Sequence, residues 1–207
     1  MKTAGMTEQE INDRHAEKMA NKKAARDKIL AKKTQEKGLL MVHTGKGKGK
    51  STAAMGLAIR AIGNDMKVGV VQFVKGVWDT GERVVLDKFP ALCTIKAMGE
   101  GFTWDTQDRQ RDIDAARAAW DYAKEIMADP AYKVVILDEL NIVLRYSYIP
   151  LDEVLETLTH KRADLHVVVT GRNAKQPLID RADLVTEMTE VKHPFRAGVK
   201  AQVGIEF

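Results

Sequence analysis

The sequence predicts an α/β chain: a mostly parallel sheet flanked by helices, preceded by an N-terminal helical extension. Three observations carry this. Short apolar runs alternate along the chain with helix-length amphipathic stretches. One run, Leu39-Leu40-Met41-Val42, leads into Thr44-Gly45-Lys46-Gly47-Lys48-Gly49-Lys50-Ser51-Thr52 and then into a helix-like stretch, Ala53 to Ile62. Another, Lys133-Val134-Val135-Ile136-Leu137, ends on two carboxylates, Asp138 and Glu139.

Taken in order, residues 7–36 lack Pro and Gly and read as a polar helix. Its apolar stripe is thin, comprising Ile11, His15, Met19, Ile29 and Leu30. Two readings fit it, a solvated tail and a helix that docks over a site or a partner subunit. Val68 to Val74 is a continuous apolar run, as expected of a parallel strand covered on both faces. Residues 75–82 read as a loop at its C-terminal end. Leu92 to Ala97 is a third strand, followed by Met98-Gly99-Glu100-Gly101. Asp105 to Ala128 is a helix, with Ile113, Ala116, Trp120, Ala123 and Met127 on one stripe, and Asp129-Pro130 stops it. The strand 133–138 follows. Pro150 opens a helix over 151–160, and Leu165 to Thr170 is a buried strand closed by Gly171-Arg172-Asn173. A short helix near 175–181 leads to Leu184-Val185-Thr186, and the chain finishes with Gln202 to Phe207.

Composition narrows the function. The single cysteine, Cys93, excludes a disulfide framework and fits a reducing cytosol, hence a cytoplasmic protein. No run reaches the length of apolar residues that a membrane span needs, and the N-terminus is too polar for a secretory signal. Net charge is +4, but residues 1–37 hold ten basic and six acidic residues while the remainder holds 23 of each. The body is neutral, which argues against a broad nucleic-acid footprint. These residues divide into a basic helical extension, 1–37, and one domain, 38–207.

The run at 44–52 has the residue types of a phosphate-binding loop. Its glycines let backbone N–H groups converge on phosphate oxygens, the following helix presents its positive end, Lys50 reaches the phosphates and Ser51 offers a hydroxyl to Mg²⁺. The usual spacing, G-x-x-x-x-G-K-S/T, places a glycine where this chain has Thr44, and Gly45 comes one residue late. A solvated basic turn is the alternative reading. Asp138 and Glu139 read either as the acidic strand end that completes a metal site or as an N-cap and first-turn acid of the next helix.

Together these motifs make the chain resemble the P-loop ATP:corrinoid adenosyltransferases, with a RecA-like P-loop NTPase fold. The resemblance rests on residues 44–52, Gly69-Val70-Val71-Gln72-Phe73-Val74-Lys75-Gly76, Gly81-Glu82-Arg83, Gly101-Phe102-Thr103-Trp104, Leu137-Asp138-Glu139-Leu140, Thr170-Gly171-Arg172-Asn173, Lys192-His193-Pro194-Phe195 and Gly198 to Gln202. It spans roughly residues 38–207. It implies a Co(I) corrinoid attacking the 5′ carbon of ATP's ribose, with the whole triphosphate as leaving group. Family members bind ATP in the reverse sense along the loop, and the shortened spacing at Thr44–Gly45 is consistent with that.

The resemblance implies the following roles. Thr44, Gly45, Lys46, Gly47, Lys48, Gly49, Lys50, Ser51 and Thr52 cradle the triphosphate, and Lys50 also stabilises the leaving group. Ser51 and Glu139 bind Mg²⁺ or Mn²⁺, with Asp138 behind them. Arg60 and Arg172 reach phosphate or ribose, although Arg60 also reads as a helix-surface charge. Phe102 and Trp104 press on the lower face of the corrin and displace the axial cobalt ligand, though two such aromatics also read as inward packing. His43 and His193 read as structural. A homodimer and a flavin or flavodoxin-type reductant are implied partners. A RecA-like ATPase acting on nucleic acid and a nucleotide-sensing regulatory domain are the competing functions.

Overall fold

The computed structural model describes residues 5–74, 80–99 and 108–205. The chain forms two compact units, Met1–Glu36 and Lys37–Phe207.

The first unit is one helix, α1 (Glu8–Leu30). It starts at a capping box: the Thr7 hydroxyl accepts the Glu10 N–H and the Glu10 carboxylate accepts the Thr7 N–H at 2.8 Å. The helix stops short of the predicted residue 36. After Leu30 the bonds tighten to the i−3 pattern, from Lys32 N–H to the Ile29 carbonyl and from Lys33 N–H to that of Leu30. None of its residues is buried, so its stripe gives the last turn no packing to hold it.

The second unit is a six-stranded parallel sheet in the order β3-β2-β4-β5-β1-β6. The elements are β1 (Leu40–Thr44), α2 (Lys50–Ile62), β2 (Lys67–Gln72), α3 (Gly81–Leu86), β3 (Cys93–Ala97), α4 (Arg109–Ala128), β4 (Tyr132–Asp138), α5 (Leu140–Arg145), α6 (Leu151–Thr159), β5 (His166–Thr170), α7 (Gln176–Arg181) and β6 (Leu184–Glu187), then a 3₁₀ turn at Pro194–Ala197. The apolar runs are continuous because both faces are covered. Val42, Val135, Leu137, Val167 and Val169 face one core with Trp120, Leu144 and Leu158. Met41, Val134, Ile136 and Val168 face the other, with Ala54, Ala58 and Ile62 of α2. The alternation is the period of two that a strand imposes. Only β6, at the edge, is exposed throughout.

Most predicted elements are found within a residue or two. The loop predicted over 75–82 ends earlier, because α3 begins at Gly81. The N-cap of α4 is Asp108, whose carboxylate accepts from Gln110 and Arg111 N–H; the predicted start at Asp105 lies outside the described residues. At the other end Asp129 is extended, as the residue before a proline must be. α4 is tied to α6 through Glu153, which accepts from Arg117 at 2.6 Å and from the Trp120 indole at 3.0 Å. The strand β1 is anchored at its start: Leu39 N–H donates to His166 Nδ1 at 3.1 Å, Leu40 N–H to Asp183 at 2.9 Å, and Asp183 also pairs with Lys37.

Candidate active site

The C-terminal ends of the strands carry polar residues where the apolar runs stop. Thr44, Gln72, Asp138 and Thr170 end β1, β2, β4 and β5, and all four are buried. In a parallel sheet this edge is where ligand crevices form. Asp138 is fully buried, at 0% exposure. A buried carboxylate needs donors, and it accepts from Ser51 Oγ at 2.7 Å, Thr170 Oγ1 at 2.8 Å and Gln72 Nε2 at 3.2 Å. A bond to a charged acceptor contributes about 2 kcal/mol. These donors bind the first turn of α2 to the end of β4, although β5 stands between β1 and β4.

The glycine-rich loop spans residues 45–49, between β1 and α2. Gly49 has φ 102° and is the N-cap of α2 without a side-chain cap, so the first N–H groups of the helix are left to an anion. Lys50 is 6% exposed, and its ammonium donates to the Gly47 carbonyl at 2.6 Å. Burial pushes its pKa down; Glu139 opposes that shift and Arg172 reinforces it, so the three charges share one field. His43 Nδ1–H donates to the Lys50 carbonyl at 3.3 Å, a structural role. His193 is structural too: its Nδ1 accepts from Phe195 N–H at 3.1 Å.

Glu139 follows Asp138 with φ 63°, a left-handed conformation that swings its side chain away from the strand direction. Its N–H donates to Thr170 Oγ1 at 2.9 Å. Glu139 is the N-cap of α5 in position, without a side-chain capping bond, so neither the N-cap reading of Asp138 nor the first-turn reading of Glu139 holds. Gly171 has φ 121°, and a Cβ there would lie 3.0 Å from the Glu139 carboxylate and 2.8 Å from Asn141 Cβ. Asn141 Nδ2 donates to the Gly171 carbonyl at 3.0 Å and pins the segment that carries Arg172.

A cavity of about 760 Å³ opens beside the loop, lined among others by Thr44, Gly45, Lys46, Arg172, Asn173 and Arg196. This is the size of a small-molecule site. The fold therefore gathers Thr44 to Ser51, Glu139 and Arg172 in one region, with Thr52 exposed on the first turn of α2. It does not bring Arg60 there. Arg60 is exposed in the last turn of α2, ten residues or about 15 Å along the axis from Lys50. Phe102 and Trp104 lie outside the described residues. Sequence reasoning missed Gln72, Thr170, Asn141 and Arg196. Gln72 and Thr170 carry the same signal as Asp138, a polar residue ending an apolar run.

A phosphate-type loop on the first strand, an acidic strand end two places away in the sheet and a serine joining them define a nucleotide-binding protein of the P-loop α/β class. The chain belongs to the ATP:corrinoid adenosyltransferase family. The family model described as "ATP:corrinoid adenosyltransferase BtuR/CobO/CobP" matches residues 36–207, and a second, "Cob(I)alamin adenosyltransferase N terminal", matches residues 6–30. A corrinoid adenosyltransferase from Sinorhizobium sp. is 57% identical over 94% of this chain and 92% of its own length. One from Pseudomonas aeruginosa is 53% identical over 96% and 98%. Among solved structures, flagellar accessory protein FlaH from Methanocaldococcus jannaschii overlaps 72% of this chain and 70% of its own, with 13% identity and TM-score 0.47. The family assignment takes precedence over the nucleic-acid ATPase and the sensor. No helix among the described residues is long and apolar enough to cross a membrane.

Proposed function

We propose that residues 44–52 hold the triphosphate of ATP and that the cavity beside them admits the reacting partners. As a corrinoid adenosyltransferase, the enzyme transfers the 5′-deoxyadenosyl group of ATP to a corrinoid. The Co(I) electron pair forms the cobalt–carbon bond, the bond from C5′ to the bridging oxygen breaks, and that oxygen leaves with the bonding pair as part of triphosphate. Cobalt is the nucleophile, so no general base is required. What the protein must supply is a sink for charge developing on the triphosphate. Lys50 and the N–H groups opening α2 fill that role.

The observation that carries the reading is the Ser51–Asp138 bond at 2.7 Å, with Glu139 next in the chain and in the field of Lys50. Ser51 and Glu139 would hold Mg²⁺ or Mn²⁺, with Asp138 fixing the serine. Among the described residues no three His, Cys, Asp or Glu side chains cluster as a ligand set. Mg²⁺ needs only one or two protein oxygens beside phosphate and water, and this donor set is all oxygen, so it fits. When bound, the ion neutralises part of the phosphate charge. Arg172 is placed at phosphate or ribose, supported by its position in the cavity wall.

Phe102 and Trp104 are assigned to the lower corrin face, where apolar bulk without a donor atom leaves cobalt four-coordinate and easier to reduce. A flavin or flavodoxin-type reductant, a homodimer and a cytoplasmic location complete the proposal, together with the division at residue 37 between extension and catalytic domain. The test is product identity: with ATP, Mg²⁺ and reduced corrinoid, triphosphate is released in step with adenosylcorrinoid. Release of Pi, or no product, would overturn it. Trp104→Ala is expected to slow turnover from Co(II) corrinoid while ATP binding is kept; equal slowing with pre-reduced Co(I) substrate removes the proposed role.

A further inference from the structure

We infer that Met188 is a positioning residue for the phosphate loop, and that residues 187–190 form a strap that sets the loop's shape before ATP arrives. The inference rests on residues 44–52 being the triphosphate cradle. The edge strand β6 runs beside β1 in parallel register, with Glu187 opposite Thr44. Beyond β6 the chain does not turn away; it stays alongside the loop.

Two backbone bonds bracket Gly45. Met188 N–H donates to the Thr44 carbonyl at 2.9 Å, and Gly47 N–H donates to the Met188 carbonyl at 2.7 Å. Contact is close enough to dictate residue type. A Cβ on Gly45, which has φ 96°, would lie 2.4 Å from the Met188 carbonyl oxygen, and one on Gly47 would lie 2.8 Å from the same atom. These two glycines thus answer to the strap backbone. The Met188 side chain reaches the other half of the loop: its Sδ lies 3.5 Å from where a Gly49 Cβ would sit. A thioether is suited to lie against an irregular glycine surface. The far end of the strap is held by Glu190, which pairs with Arg196 at 2.6 Å, and both line the cavity.

One consequence concerns the cradle. The Gly47 N–H is committed to Met188, so the donors for phosphate lie in the second half of the loop and the first turn of α2. A loop held this way is preorganised, and the order is not taken from binding energy when the triphosphate enters. Because the strap orders the loop before ATP binds, a loop without it must be ordered at binding, and the loss raises KM rather than lowering kcat.

The test uses the full chain, with inorganic triphosphate and ATP as probes in calorimetry, and steady-state kinetics alongside. Met188→Ala is expected to weaken triphosphate binding and raise the KM for ATP about fivefold, with kcat within about twofold, and Met188→Leu to recover to within about twofold of wild type. Unchanged binding in Met188→Ala, or equal impairment in the leucine variant, overturns the inference. Should the alanine variant fail to fold, amide exchange in the wild-type protein decides. The Gly47 N–H is expected to be protected at least about 100-fold without nucleotide, and exchange at an unprotected rate overturns the strap. A wild-type chain that binds no triphosphate overturns the cradle itself, whereas wild-type binding that Met188→Ala leaves intact overturns only the strap.

Discussion

The two longest helices make an instructive pair. α1 has 23 residues and α4 has 20, and both are rich in charge. Six residues of α4 are buried, Ala116, Ala119, Trp120, Ala123, Ile126 and Met127, and none of α1 is. Length does not separate them; the number and spacing of apolar residues do. Those of α4 recur every three or four positions and form a stripe, whereas Ile11, Met19 and Ile29 of α1 are too far apart in sequence to merge into one. Order in α1 therefore comes from local devices: the Thr7–Glu10 capping box and the Gln9–Asp13 side-chain bond at 3.0 Å. Order in α4 comes from the sheet beneath it and from Glu153 on α6.

The sharpest way to break the contrast is to remove one side chain from each helix. Trp120→Ala is expected to cost about 4 kcal/mol, through the cavity left and the Glu153 bond lost. Met19→Ala is expected to stay within about 0.5 kcal/mol. Chemical denaturation of the two variants measures this, and similar midpoints would erase the distinction. A smaller effect concerns the local device. Thr7→Ala removes the cap of α1, worth about 1 kcal/mol, so the Glu10 amide should exchange about fivefold faster. No change would mean the capping box contributes nothing.

The smallest effect is a pH dependence in the body that α1 does not share. Burial, helped by the nearby Lys161, lowers the His166 pKa, against an opposing pull from Asp164. Neutral His166 accepts the Leu39 N–H; the protonated ring cannot. The folded pKa lies below the unfolded value of about 6.5. On acidification the unfolded chain therefore takes up the proton first, and stability falls as pH drops below about 6.5. Denaturation midpoints at pH 7.5 and 5.5 should differ in wild type and converge in His166→Gln. An equal difference in the variant would assign the effect to other groups.

Much of the fold was legible because its signals are local. Apolar runs with a period of two, helical stripes at three and four, Pro130 after α4 and the glycines of 45–49 each act within a few residues. The start of α3 was not legible, because Gly81-Glu82-Arg83 carries loop and helix signals together. Half of the site was legible on the same terms: the loop, Lys50, Ser51 and the acidic strand end. Arg60 shows where local reading fails. It lies on the same helix as Lys50, but the rise of the helix carries it away from the cavity.

What the sequence determined by itself is the kind of each segment and the chemistry of its ends: a phosphate loop, a carboxylate strand end and central strands covered on both faces. Which partners meet was left to the tertiary structure. Ser51 bonds to Asp138 across 87 residues and Gln72 to Asp138 across 66. Gly47 bonds to Met188, with five strands, β2 to β6, between them in the chain. Such contacts depend on strand order, because β5 must lie beside β4 before Thr170 can reach Asp138, and β6 beside β1 before Met188 can reach the loop. A local pattern specifies the face a residue buries; only the assembled sheet specifies the neighbour it finds.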